Sequence, residues 1–244
     1  MRIAITRPRE RSKDTIKLLE DRGEEAFIVP AIEIVPRQKN EVTKAVGSLE
    51  SYAWLILTSA SGAAIMLDYF GDDLKKIKIG VIGPKTKEIL EKKGIEVALI
   101  PEEYKAENLA DELIKQGIGG DNILIARASI GREVLVDKLK AVANVTNVHL
   151  YDTTAPKDTS EMQELSLKLE KNEIDAIIFT SSQTAKNLFE VVDPEKVQKS
   201  GAKICAIGPI TARTLQDFGI EVDIMPKKYT VKAALDALEG KNGR

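Results

Sequence analysis

The residues best suited to chemistry fall in short clusters that close apolar runs. They are Thr6-Arg7-Pro8-Arg9, Thr58-Ser59-Ala60-Ser61, Gly83-Pro84-Lys85-Thr86, Arg127-Ala128-Ser129, Thr180-Ser181-Ser182 and Gly208-Pro209-Ile210-Thr211. Each cluster follows a strand-like run and leads into a helix-like one. In an open parallel α/β sheet, that position is where ligands collect. A helix N-terminus there offers unpaired N–H groups and a positive dipole end, which suit carboxylates or phosphates. Small residues let a ligand approach the backbone closely. One isolated Thr-Ser is explained by ordinary N-capping. Paired sites in both halves, beside Arg7 and Arg127, put anion binding level with that explanation.

Other chemistries are narrowed by what the sequence offers. It has one cysteine, Cys205 in an apolar run, and one histidine, His149. A Cys/His zinc site is thereby excluded, and a Ser-His-Asp arrangement would have to use His149, which reads as structural. There is no Walker A sequence and no Gly-x-Gly-x-x-Gly, so nucleotide binding lacks its usual signature. The acidic pairs Glu102-Glu103 and Asp72-Asp73 read as charge on solvated helices, and Trp54 reads as core. Tyr151 follows a strand in a short segment closed by Pro156, where its phenol could face a crevice; packing at a hinge is the simpler reading. The 244 residues carry a net charge of −2, which argues against nucleic-acid or membrane-surface binding through bulk charge. No apolar run approaches the ~20 residues of a membrane span. The start of the chain reads directly as a strand, without a signal-peptide pattern, so a cytoplasmic protein is expected.

These clusters must be positioned by the elements around them. Apolar residues make up 43% and aromatics only 5%, so the core is aliphatic. Ile3–Thr6, Trp54–Leu57, Ile79–Ile82, Val97–Ile100, Ile123–Ala126, Val145–Leu150, Ala176–Phe179, Ile204–Ile207 and Val222–Met225 read as strands. Most are continuous apolar runs, as expected of parallel strands covered on both faces. Amphipathic stretches separate them, which predicts an α/β protein with doubly wound, mainly parallel sheets. The order of elements also repeats. Ile82-Gly83-Pro84-Lys85-Thr86 recurs as Ile207-Gly208-Pro209-Ile210-Thr211, and Gly94, Ile95-Glu96-Val97, Pro101 and Tyr104 recur at the same 125-residue offset. Leu57-Thr58-Ser59 matches Phe179-Thr180-Ser181, and Ile5-Thr6-Arg7 resembles Ile125-Ala126-Arg127. A period this long fits a domain duplication. Pro30–Pro36 and Tyr151–Pro156 occupy equivalent places and read as linkers; a crevice between two such domains is a favoured ligand site.

Taken together, the ordered motifs resemble the uroporphyrinogen-III synthase family over essentially the whole chain. The likeness is carried by Ile-Thr-Arg-Pro-Arg at the start, Leu-Thr-Ser, Ile-Gly-Pro-Lys-Thr with Gly94, Ala106-Glu107-Asn108-Leu109 and Gly131-Arg132. It continues through Leu150-Tyr151-Asp152-Thr153, Phe-Thr-Ser-Ser, and Ile-Gly-Pro-Ile-Thr-Ala-Arg with Gly219 and Pro226. The chain departs from the family at Ala60-Ser61-Gly62, where many relatives have Asn before the glycine, and around Ala143-Asn144, where a glycine is common.

The resemblance implies one domain of residues 1–34 and 157–244 and a second of 38–149. Linkers 30–37 and 150–156 would pair as a two-stranded β-ladder. It also implies a monomeric, cofactor-free lyase whose substrate is hydroxymethylbilane, a linear tetrapyrrole with eight carboxylates. Loss of the terminal hydroxyl gives an azafulvene cation, which closes through a spiro intermediate and inverts the last ring. By the same resemblance Tyr151 would donate a proton to the departing hydroxyl; phenols titrate near ~10 and are protonated at neutral pH. Ser59, Thr86, Ser181, Ser182 and Thr211 would hold the acetate and propionate arms. Arg7 and Arg127 would add charge, with Arg132 and Lys85 as further candidates. Two other readings remain open from the residues alone: a hinged binding protein for a small anion, and a nucleotide- or flavin-using enzyme of doubly wound fold.

Overall fold

Short runs of Ile, Val and Leu become strands when helices can cover both of their faces, and that is how this chain is arranged. The computed structural model describes residues 1–240. Strand β1 (Arg2–Thr6) leads through α1 (Lys13–Glu20) to β2 (Glu25–Val29) and β3 (Glu33–Pro36). Then come α2 (Lys39–Val46), β4 (Trp54–Leu57), α3 (Ala60–Phe70), β5 (Lys78–Val81), α4 (Pro84–Glu91) and α5 (Ala106–Lys115). They are followed by β6 (Asn122–Ala128), α6 (Val134–Lys140) and the long β7 (Asn144–Thr154). The remainder holds α7 (Ser160–Glu170), β8 (Ala176–Phe179), α8 (Ser182–Phe189), α9 (Pro194–Lys199), β9 (Lys203–Ala206), α10 (Pro209–Asp217) and α11 (Val231–Leu238).

Two sheets result, ordered β2-β1-β8-β9 and β3-β7-β6-β4-β5. Strand β1 runs parallel to β2 and β8, and β8 to β9. In the other sheet β4 runs parallel to β5 and β6, and β6 to β7. The chain is therefore α/β with mainly parallel sheets, as the alternating pattern predicts. It divides into one unit of Met1–Glu33 with the chain from Thr154 onward, and another of Ile34–Thr153.

Each unit has its own core on both faces of its sheet. In the Ile34–Thr153 unit, Leu55, Leu57, Leu124 and Val148 pack with Met66 and Leu90 on one face. Trp54, Ile56, Ile123 and Ile125 pack with Leu109, Leu113, Leu135 and Leu139 on the other. Side chains alternate between faces along a strand, so an unbroken apolar run serves both cores. Full burial of each such side chain contributes roughly 1.5–3 kcal/mol. In the other unit, β8 is buried along its whole length. Its Ile177 and Phe179 face α7 and α8, and its Ala176 and Ile178 face α1 and α11.

The repeat is visible in hydrogen bonds. Leu99 accepts from Val81 N at 2.9 Å, and Ile224 accepts from Ala206 N at 2.9 Å, 125 residues on. Gly94 and Gly219 both adopt left-handed φ, 71° and 76°, just beyond α4 and α10, where a side chain would be strained. The amide of the next residue then reaches back, Ile95 N to Leu90 O and Ile220 N to Leu215 O.

Several sequence expectations need correction. Val97–Ile100 and Val222–Met225 are not strands; each makes a single bridge, Gly80 to Leu99 and Cys205 to Ile224. Pro101 and Pro226 follow at once and cannot donate to a ladder, so pairing stops. Strand β2 is an additional edge strand. The segment from Pro30 to Pro36 contains β3, a neighbour of β7, which agrees with the expected two-stranded ladder of the linkers. Strand β7 continues unbroken past Leu150 to Thr154. Asp72-Asp73 lie on a short 3₁₀ turn (Gly71–Lys76), and Glu102-Glu103 lie before α5, so neither pair is on an α-helix.

Candidate functional site

In the Ile34–Thr153 unit the registers bring four cluster-bearing strand ends to one edge. Leu57 pairs with Val81 on one side and Ala126 on the other, and Arg127 pairs with His149. Between Arg127 and Ala128 the register slips, so that Ala128 pairs with Tyr151. Such a bulge re-aims side chains. Leu150 and Tyr151 consequently both pack into the cluster that contains α3, although consecutive strand residues ordinarily face opposite ways. Tyr151 is buried, and its hydroxyl lies 2.9 Å from Ser59 Oγ.

Ser59 is the N-cap of α3, with extended φ and ψ of −151° and 152°, and its Oγ accepts from Gly62 N at 3.0 Å. Thr86 is buried in the first turn of α4, whose N-cap is Gly83. Arg127 is almost fully buried, its side chain 5% exposed. Its guanidinium donates to the carbonyls of Ala128, Gly131 and Arg132 and pairs with Glu133. Those bonds fix the loop after β6 and turn the charge inward. Arg132 is exposed and paired with Glu107 at 2.7 Å. Asp152 accepts from Arg37 at 3.2 Å; the Ser129 hydroxyl and then Arg37 hold its carboxyl below the usual range.

The other unit gathers its hydroxyls around the start of α8. Thr6 ends β1 fully buried, and its Oγ1 reaches Thr184 Oγ1 at 3.0 Å and accepts from Thr180 N at 3.2 Å. Ser181 caps α8: its Oγ accepts from Thr184 N at 3.1 Å, and Thr184 Oγ1 accepts from Ser181 N in return. This reciprocal pair is a capping box. Ser182 is the first residue of α8, and Thr211 is buried in the first turn of α10, beside Ile210 at 77% exposure. Arg7 donates to Thr15 Oγ1, while its Nε is buried without a partner. Burial lowers the pKa of Arg7, Arg11 adds to the shift, and Asp14 opposes it.

The structure thus places Ser59 and Tyr151 in contact, and Thr86 and Arg127 at the same sheet edge. Arg7, Ser181, Ser182 and Thr211 stand at the corresponding edge of the other unit. Thr184 and Arg37 were not singled out from sequence, and Thr6, Gly62 and Asp152 were named there only within motifs, without these contacts. Thr184 carries a readable signal, since it stands three residues after the cap Ser181. The Gly62 signal is its spacing from Ser59. Among the described residues, no group of three or more His, Cys, Asp and Glu is arranged to hold a metal. No helix among the described residues is long and apolar enough to cross a membrane.

Fold and site define a class: a duplicated α/β protein that turns helix N-termini, hydroxyls and a phenol toward the carboxyl edges of parallel sheets. The family described as uroporphyrinogen-III synthase HemD matches residues 13–236. A protein of Methanocaldococcus jannaschii is 34% identical, over 98% of this chain and 98% of its own length. The uroporphyrinogen-III synthase of Chlorobaculum parvum is 27% identical, over 97% and 99%. A crystal structure of a mutant uroporphyrinogen III synthase from Thermus thermophilus shares the fold at a TM-score of 0.60, with 17% identity and 98% of each chain covered. The chain belongs to the uroporphyrinogen-III synthase family, and with it to the cyclising lyases of tetrapyrrole biosynthesis.

Proposed function

We propose that the chain closes hydroxymethylbilane to uroporphyrinogen III, with Tyr151 as the acid. The terminal C–O bond breaks with its electron pair on oxygen, which takes the Tyr151 proton and leaves as water. The azafulvene so formed is attacked by the already substituted α-carbon of ring D, which gives a spiro intermediate. The bond from that carbon to its original methylene bridge then breaks, leaving an azafulvene on ring C. The free α-carbon of ring D closes on it, so that ring D ends inverted. The proton released when the last ring regains aromaticity returns the phenolate to phenol. The substrate's own electrons do the bond making, so the protein's share is to favour the folded geometry over simple closure. The first turns of α4, α8 and α10, with Thr86, Ser181, Ser182 and Thr211, receive carboxylate arms. Arg7 adds charge, and Arg127 contributes by shaping the loop after β6. The reaction as written draws on no cofactor, and we place it in a cytoplasmic monomer.

The observation that carries this reading is the phenol of Tyr151 set against the N-cap of α3 at the carboxyl edge of its sheet. A Tyr151→Phe change removes one oxygen and the proton it would donate. The test is an assay with freshly generated hydroxymethylbilane that resolves the type I and type III isomers after oxidation. Wild type is expected to give mainly isomer III, and Tyr151→Phe to lose 10²-fold or more of that rate, about what general acid catalysis supplies. Isomer I alone from folded wild type would sink the reading in favour of an anion-binding protein. Full turnover by Tyr151→Phe would remove the acid from it.

A further inference from the structure

We propose that Ser59 is a positioning residue that acts through Tyr151, donating its proton to the phenol oxygen so that the tyrosine's own proton points to the substrate. The inference rests on the reading of Tyr151 as the acid and gives that acid a direction.

It follows from counting protons. A serine hydroxyl has one proton and two lone pairs. Ser59 Oγ receives the Gly62 N–H at 3.0 Å, so one lone pair is occupied by the first turn of α3. Tyr151 Oη lies 2.9 Å from the same oxygen, and either hydroxyl could be the donor. If Tyr151 donated to Ser59, its proton would be turned away from the substrate and the acid would be blocked. If Ser59 donates, the phenol proton is free, and the phenolate left behind receives a hydrogen bond already in place. The Gly62 N–H polarises the serine hydroxyl toward this role. A negative charge beside a helix N-terminus is also favoured by the helix dipole.

The packing holds this arrangement tightly. A Cβ added at Gly62 would stand 3.1 Å from Ser59 Oγ and 3.5 Å from Leu150 Cδ1. Ser59 Oγ cannot retreat without lengthening its bond to Gly62 N or to Tyr151, so the glycine keeps the pair in register. Leu150 precedes Tyr151 on the bulged strand, and both belong to the same buried cluster.

The competing role for Ser59 is direct contact with a substrate carboxylate. A double-substitution cycle in the isomer assay separates the two. Ser59→Gly is the main variant, because glycine at an N-cap costs only a few tenths of a kcal/mol relative to serine, whereas alanine costs ~1. Thermal midpoints of all variants check folding. We expect Ser59→Gly to lower kcat roughly tenfold to a hundredfold with KM nearly unchanged, as for an interaction made only in the transition state. Ser59→Thr, which keeps the hydroxyl and the cap, should return kcat to within about threefold of wild type. In the Tyr151→Phe background, Ser59→Gly should cost less than about twofold, because its partner is gone. Gly62→Ala should reproduce the kcat loss in milder form.

Three results would overturn the proposal. They are a Ser59→Gly effect carried by KM, an effect that multiplies undiminished in the Tyr151→Phe background, or no rescue by threonine. Full activity of Tyr151→Phe on its own would instead overturn the acid reading, and the inference with it.

Discussion

Arg7 and Arg127 hold equivalent places in the repeat, 120 residues apart, and their surroundings part them. Arg127 has a side chain 5% exposed and donates to three loop carbonyls and Glu133. Arg7 is half-buried, bonds Thr15, and keeps a buried Nε without a partner. Arg127→Met should therefore destabilise the protein by about 2–3 kcal/mol, because the loop carbonyls lose a charged donor. Arg7→Met should leave stability within about 1 kcal/mol and instead raise KM, as expected of a charge that meets a substrate carboxylate. Denaturant midpoints and steady-state kinetics on both variants would check the division; the opposite pattern would exchange the two roles. Cys205 shows the same dependence on surroundings. Burial pushes its thiol up to about 12 from a reference of 9.0. A group whose neutral form is favoured in the fold adds stability below its unfolded value and loses it as pH rises toward the folded one. Cys205→Ala should accordingly flatten the fall in thermal midpoint between pH 9 and about 12. In the native protein the thiol should resist disulfide reagents at pH 8, and rapid labelling would contradict its burial.

The elements explain what could and could not be read in advance. Central strands β1, β4, β6 and β8 were legible because an unbroken apolar run is what two-sided burial selects. The edge strand β2 was not: Glu25-Ala-Phe-Ile-Val is only half-buried and has the weak pattern of an edge. Val97–Ile100 and Val222–Met225 misled for the converse reason. They carry β-branched residues, yet touch the sheet at one residue each before a proline stops the ladder. The bulge that turns Tyr151 toward α3 leaves no mark in composition, so the tyrosine could be proposed while its contact with Ser59 could not. Hydroxyls were legible as a class, but not the allotment of each to a cap, a core or a ligand. Thr6 is the clearest case: it sits fully buried and ties β1 to the start of α8 through Thr184 and Thr180. Thr6→Val keeps the shape and removes the oxygen, leaving Thr180 N–H and Thr184 without that partner. A loss of about 1–3 kcal/mol is expected by chemical denaturation, while Thr6→Ser should lose much less. Equal losses for valine and serine would show that the methyl, not the oxygen, matters.

Across the whole molecule, duplication provides matched experiments within one chain. Leu90 in α4 and Leu215 in α10 are both fully buried, each accepts the amide that closes its helix, and each is followed by a left-handed glycine. They serve different cores: Leu90 packs with Leu57 and Val81, and Leu215 packs with Phe179 and Ala206. The same bonds and the same chemistry therefore recur in two separate hydrophobic surroundings. Replacing either leucine with alanine removes apolar contact and leaves a cavity, at a cost of about 2–5 kcal/mol set by how far its neighbours collapse. Each apolar cluster among the described residues draws its members from one unit alone. Leu90→Ala should thus lower amide-exchange protection in β4, β5 and β6, and Leu215→Ala in β1, β8 and β9, each leaving the other set closer to wild type. If both substitutions reduced protection in both sets equally, the two cores would melt as one cooperative unit, and the repeat would be a record of ancestry without separate folding behaviour.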